Sequence, residues 1–241
     1  MLDWMTLDEE LRGSIYLHGV QPDGTNANDL YTVVQDDKFY WLKSPQGWPW
    51  DIELVDDGGI YDWITEYSWT DPYSFKKSHR DTNKKWANRC MKAGDRVKSA
   101  DTSYEIRTAD CGRNGSNQTL HDLKNMVTTV EGLQRASLGG DMPADMEVLV
   151  FDYDYVCDEN FKRCKDRETY LFNQRYGLVR WEHRSLGADE ASYLPPDNVT
   201  IFNQIKPGGP PLPEFPCGAV LTGGAVSAPG ASSESRSVPG S

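Results

Sequence analysis

The sequence predicts a mainly β protein, an antiparallel β-sandwich or jelly roll with one or two short helices. Three observations predict it. Short runs of β-branched and aromatic residues recur along the chain with polar turns between them. Aromatic residues make up 11% of the 241 positions against a hydrophobic share of 38%, so large rings must supply much of the core. Apolar residues at helical spacing are scarce. Residues 1–205 are expected to form a single β-rich domain, compact from about residue 10. Residues 206–241, "KPGGPPLPEFPCGAVLTGGAVSAPGASSESRSVPGS", read as a flexible Pro/Gly/Ser-rich tail with too little apolar periodicity to build a core.

The elements follow in chain order. "LYTVVQ" and "KFYWLK" read as two strands joined at "DD". Residues 48–69, "WPWDIELVDDGGIYDWITEYSW", read as a hairpin, because Asp-Gly and Gly-Gly supply the positive φ angles a tight turn demands. Centring the turn on Asp57 and Gly58 sets Val55 opposite Ile60, Glu53 opposite Asp62, Ile52 opposite Trp63 and Trp50 opposite Thr65. Alternation then gathers Trp50, Ile52, Leu54, Tyr61, Trp63, Tyr67 and Trp69 on one face and Asp51, Glu53, Val55, Ile60, Asp62, Ile64 and Glu66 on the other.

Farther on, "DPYSFKKSHRDTNKKW" can start a short helix behind Asp71, with Pro72 at its first position. "LHDLKNMVTTVEGL" fits a helix through the spacing of Leu120, Leu123, Val127 and Val130, or a strand through its Val and Thr. "MEVLVFDYDYV" is the strongest strand. "ETYLFNQ" and "LVRWEHRSL" form a hairpin about "RYG".

A net charge of −12 and a pI near 4.8 exclude nucleic acid as a partner and disfavour an anionic membrane surface. No run approaches the roughly 20 apolar residues of a membrane span. The opening "MLDWMTLDEELRG" carries acids where an export leader needs a positive charge, so export is read from the cysteines instead. Cys90 with Cys111, and Cys157 with Cys164, make two local pairs and leave Cys217 odd. There is no CxxC, and no histidine lies near them, so disulfides are expected over a metal site, with free thiols as the alternative. The expected location is extracellular or periplasmic.

The aromatic face of the 48–69 hairpin is either core or a platform that stacks on sugar rings. Trp48 and Trp69, at the outer strand ends, are the substrate contacts on the second reading, together with Tyr176. On the opposite face, Asp62 and Glu66 offer the paired carboxylates of glycoside hydrolysis. Crowding by a like charge raises the pKa of one of them and fits it to donate a proton. The alternative is a solvated acidic face.

In "RYGLVRWEHRS", Arg180 and Glu182 share a strand face and offer a clamp or an acid–base pair. His183 with Tyr176 offers the base and acid of a lyase, in which an arginine neutralises the substrate carboxylate. A ladder of surface ion pairs accounts for the same residues. Asp152, Asp154 and Asp158 present oxygen ligands that could hold Ca²⁺, although the segment lacks the glycine and glutamate of an EF-hand loop. No other cofactor is expected. Gly-x-Ser-x-Gly and His-Glu-x-x-His motifs are absent.

The segment "ETYLFNQRYGLVRWE" resembles the terminal hairpin, roughly Tyr-x-x-x-x-Gly-x-Gly-Leu-Val-x-x-Glu, of various exported bacterial proteins and lipoproteins. Tyr170, Gly177, Leu178, Val179 and Glu182 match in place, whereas Arg175 and Tyr176 depart from the small residues usual in that turn. The resemblance implies an exported β-fold and no activity. The expected function is an extracellular polysaccharide-degrading enzyme, a glycoside hydrolase or a polysaccharide lyase, acting on a carbohydrate polymer. A non-catalytic carbohydrate-binding module and a structural surface protein are the alternatives.

Overall fold

The computed structural model describes residues 2–35, 38–42, 49–56, 58–66, 75–78, 85–100, 102–107, 118–123 and 125–209. A four-residue helix, α1 (Leu2–Met5), precedes β1 (Ile15–Val20), β2 (Asn26–Gln35), β3 (Lys38–Leu42), β4 (Pro49–Asp56) and β5 (Gly59–Glu66). Then come β6 (Phe75–Ser78), β7 (Lys85–Ala87), β8 (Arg96–Ser99), β9 (Thr102–Arg107) and β10 (Gln118–Leu123). The long strands close the chain: β11 (Met126–Ala136), β12 (Met146–Cys157), β13 (Cys164–Asn173), β14 (Gly177–Ser185) and β15 (Asn198–Pro207).

The pairings between these strands are antiparallel. The strand order is β10-β9-β6-β5-β4-β3-β2-β1-β15-β14-β13-β12-β11-β8, with β7 paired to β5. Mostly sequential neighbours are what short turns allow, since a parallel partner needs a long crossover.

One buried cluster shows how the sheet folds over itself. Leu17, Leu30, Ile60, Trp86 and Ala87 from β1, β2, β5 and β7 join Phe151, Tyr170, Phe172, Val179 and Phe202 from β12 to β15. Trp86 is the pivot between the layers. Its ring lies 6.0 Å from Phe151, and it meets Tyr170 at 5.3 Å and Phe172 at 6.2 Å edge-on. Edge-on aromatic pairs contribute about 0.5–1.5 kcal/mol each beyond their buried area. The close approach of β7 to β5 needs a glycine. Gly59 sits at φ 155°, and a Cβ there would fall 2.3 Å from the Ala87 carbonyl oxygen.

The sandwich class thus matches expectation, while several details differ. The fold begins before residue 10: Met5 and Leu7 are 0% and 1% exposed, and Leu7 bridges Tyr176 in the β13–β14 turn. Gly177, at φ 67°, leaves room for that docking, because a Cβ would lie 2.9 Å from the Thr6 carbonyl carbon. A four-residue helix is too short to leave a periodic signature. At the other end, β15 runs through residue 205 to Pro207, and residues 210–241 lie outside the described residues.

The β4–β5 hairpin keeps the expected Val55–Ile60 and Glu53–Asp62 pairs, then slips by one residue, so that Ile52 faces Ile64 and Asp51 faces Thr65. A one-residue bulge of this kind bends the strand and adds twist. Phe75–Ser78 forms a strand between β5 and β9, not a helix, because pairing on both edges outweighs a Pro cap signal. Residues 118–123 and 126–136 are strands too, as their Val and Thr favour. Cys157 and Cys164 stand opposite each other in the ladder and form a disulfide. Cys90 is an exposed free thiol, so the expected Cys90–Cys111 pair is not made. It sits in the turn between β7 and β8, where no ladder holds a partner. Cys111 and Cys217 lie outside the described residues.

Candidate functional site

Alternation along β12, β13 and β14 sends a polar row to one sheet face and the aromatic core to the other. Asp152 pairs with Thr169 and Asp154 with Arg167 across β12 and β13; Thr169 then pairs with Glu182 and Arg167 with Arg184 across β13 and β14. Arg96 and Lys98 of β8 reach the same row through Thr129 and Val127 of β11.

The side chains in this row form one continuous network. Arg167 grips Asp154 with two parallel hydrogen bonds, Nε to Oδ1 at 2.6 Å and Nη2 to Oδ2 at 3.0 Å. Its Nη1 lies 2.7 Å from Asp152 Oδ2. Thr169 Oγ1 donates to Asp152 Oδ1 at 2.7 Å and accepts from Arg184 at 3.4 Å. Arg184 and Arg180 each donate to a different oxygen of Glu182. Three carboxylates thus meet three guanidiniums, with the acids deeply buried and the arginines partly exposed.

Burial alone would lower the pKa of Arg167, but the hydrogen bond and charge of Asp154, with Asp152 behind, hold it above the ordinary guanidinium value. Its guanidinium lies 4.4 Å from the centre of the Tyr193 ring. Burial and the Asp154 charge push the Tyr193 phenol up, opposed in part by Arg167. Bidentate pairs of this kind orient and neutralise a carboxylate.

His183 lies on the opposite face from Glu182. Its Nδ1 is 2.6 Å from Asp197 Oδ1 and its Nε2 is 3.7 Å from Asp166 Oδ1. Ser185 Oγ lies within reach of the same two acids, 3.4 Å from Asp166 and 3.3 Å from Asp197, and its one proton is shared between them. The histidine therefore ties the β14–β15 loop to the sheet. Tyr176 sits in the turn before β14, seven residues away and roughly 23 Å at strand rise, so it does not pair with His183.

Asp62 and Glu66 lie on β5, opposite Glu53 and Phe75 in register. In the strand order β15, β1, β2, β3 and β4 stand between β14 and β5, so no pairing sets these acids beside Glu182 or Arg180. Trp48 and Trp69 lie outside the described residues. At the expected Ca²⁺ position, Asp152 and Asp154 close on Arg167, and Asp158 Oδ1 accepts the Asn160 and Lys162 amides of the disulfide loop. Among the described residues, no three His, Cys, Asp or Glu side chains converge on a cation position.

A pocket of about 210 Å³ opens beside this row. Its walls are the disulfide loop (Phe161, Lys162, Arg163), Arg96 on β8, Arg167, and Tyr193 with Glu190 from the β14–β15 loop. None of Arg96, Lys162, Arg163, Arg167 and Tyr193 was singled out from the sequence. The strict alternation of Asp166, Glu168 and Tyr170 with Arg167 and Thr169 was the available signal for Arg167.

No family model matches the chain, and no curated protein matches it. Among solved structures, it is similar to the hypothetical lipoprotein YmcC from Escherichia coli (K12), at 9% identity over 84% of this chain and 91% of that one, with a TM-score of 0.36. A likeness at that level carries no argument about fold or activity. The Cys157–Cys164 disulfide belongs to a type that persists in oxidising compartments, which fits a location outside the cytoplasm.

Proposed function

We propose that the chain is an extracellular or periplasmic recognition domain for a carbohydrate polymer, and that it binds without cleaving. One observation carries this reading. Glu182, the acid nominated for acid–base chemistry on β14, is committed to Arg180 and Arg184, and the nominated cation ligands Asp152 and Asp154 are committed to Arg167. A general acid or base must reach the proton it moves, and a carboxylate with its oxygens already accepting from guanidiniums is poorly placed to do so. His183 is similarly held between two aspartates, on the face away from Glu182.

A hydrolytic reading keeps one foothold. Glu53 and Asp62 face each other across the β4–β5 ladder, and like charges so placed are unfavourable unless something offsets them. The recognition reading is tested by retention on immobilised polysaccharides, neutral and acidic, with Asp62→Asn/Glu66→Gln alongside. Retention of both the native chain and the variant is expected. No retention on any polymer overturns the proposal.

A further inference from the structure

The pocket beside the disulfide loop is a local reversal of charge. The whole chain carries −12, yet four cations line this 210 Å³ space against two acids, Asp154 and Glu190. Asp154 is consumed by Arg167 through two hydrogen bonds. Glu190 is paired with Arg163 at 2.7 Å, with side chains 60% and 66% exposed. Such solvent-exposed pairs hold weakly and exchange readily with an incoming anion. Arg96 and Lys162 have no ion-pair partner among the described residues, and both are exposed. A fifth cation, Lys98, stands just outside this lining, 5.2 Å from the centre of the Phe161 ring on the same loop.

The geometry holding these cations is rigid. The loop between Cys157 and Cys164 is closed by the disulfide and pinned by Asp158, whose side chain accepts two of its amides. Phe161 anchors it by packing on a buried cluster of Val127 and the two cysteines. Across the pocket, Tyr193 is fixed by the Arg167 guanidinium at 4.4 Å and by its own hydroxyl, which donates to the Cys164 carbonyl at 3.2 Å. Both walls thus stand before any ligand arrives, and preorganisation of this kind reduces what binding must spend on ordering.

Each aromatic ring here has a cation beside it, Lys98 at Phe161 and Arg167 at Tyr193, and four cations line the space, so the recognition chemistry is ionic. At physiological ionic strength charges are screened over about 8 Å, so the pocket acts largely independently of the acidic surface elsewhere. We propose that this pocket is the subsite for a carboxylate or sulfate substituent of an acidic polysaccharide. Arg96 and Lys162 meet the charge, and Arg163 exchanges Glu190 for it. This deepens the recognition reading above and rests on it.

The test is retardation in native gels cast with polygalacturonate, with dextran sulfate or with uncharged dextran. The full chain is compared with Arg96→Ser/Lys162→Ser and with Lys92→Ser/Arg175→Ser, which removes the same charge at two exposed turns outside the pocket. Neither double variant touches a buried pair, so both are expected to fold. The proposal expects retardation by a charged polymer but not by dextran, a loss of about tenfold or more in apparent affinity for the pocket variant, and none for the matched control. Equal loss in both variants, or none in the pocket variant, overturns it. Retardation by dextran that both variants keep overturns this subsite and leaves the recognition reading standing. No retardation by any polymer overturns both.

Discussion

At the scale of single residues, Glu182 shows most directly what the polar row is for. Its carboxylate is only 6% exposed and accepts from Arg180 and Arg184 on either side. Glu182→Gln keeps the shape and removes the charge, leaving two guanidiniums side by side over a neutral amide. Removing one partner of a buried ion pair costs about 3 kcal/mol, because the remaining charges stay desolvated. A urea titration should show that loss, and a change within about 0.5 kcal/mol would mean the row is as solvated as an ordinary surface.

Tyr31 gives a pH signature. It stacks on Tyr16 at 4.4 Å, and burial, with Tyr16 and Asp29 nearby, pushes its phenol up to about 12 from 10.0. The folded chain then keeps a proton that the unfolded chain releases above pH 10. The corresponding stability is complete below pH 10 and is lost as the pH rises through about 12. Urea midpoints from pH 9 to 12 should therefore fall more steeply for the native chain than for Tyr31→Phe. Parallel slopes would contradict this.

At the scale of elements, the β12–β13 hairpin organises the site. The disulfide loop fixes its register, since Cys157 faces Cys164 and every pair from Leu149–Phe172 to Tyr155–Asp166 follows. Closing so short a loop restricts the unfolded chain by about 2.5 kcal/mol on chain-entropy grounds. Cys157→Ser/Cys164→Ser should lose about that much in urea. Reductant should then destabilise the native chain but not the variant, and equal sensitivity would show that another bond was responsible.

The same hairpin shows what was legible beforehand. The alternation in "MEVLVFDYDYV" is enough to send Asp152 and Asp154 to one face and Tyr153 to the other, and the structure buries Tyr153 at 6% and stacks it on Tyr155. What the aspartates would meet was not legible. Arg167 is 13 residues from Asp154, and its contact exists only once the turn length is known. The β4–β5 register failed differently. A bulge opposite Ile52 has no local marker, so a two-residue period carried past it shifts every later pair by one.

At the scale of the molecule, the sheet curls until β7 lays Trp86 across the rings of β12 and β13. The antiparallel sandwich class followed from composition and alternation alone, because many short β-branched runs leave few other ways to bury rings. The cationic pocket did not follow from anything local. It draws Arg96 from β8, Lys162 and Arg163 from the disulfide loop, Arg167 from β13 and Tyr193 from beyond β14, and no sequence window contains them all. The docking of Met5 and Leu7 was hidden for the same reason.

The central claim is that the chain binds a polysaccharide and leaves it whole. The most direct measurement is the mass of neutral, cationic and uronic polymers after long incubation with the protein. The account predicts polymers of unchanged length. Oligosaccharides carrying an added water, or fragments lighter by one water, would contradict it and return the acids of β5 or β14 to a catalytic role.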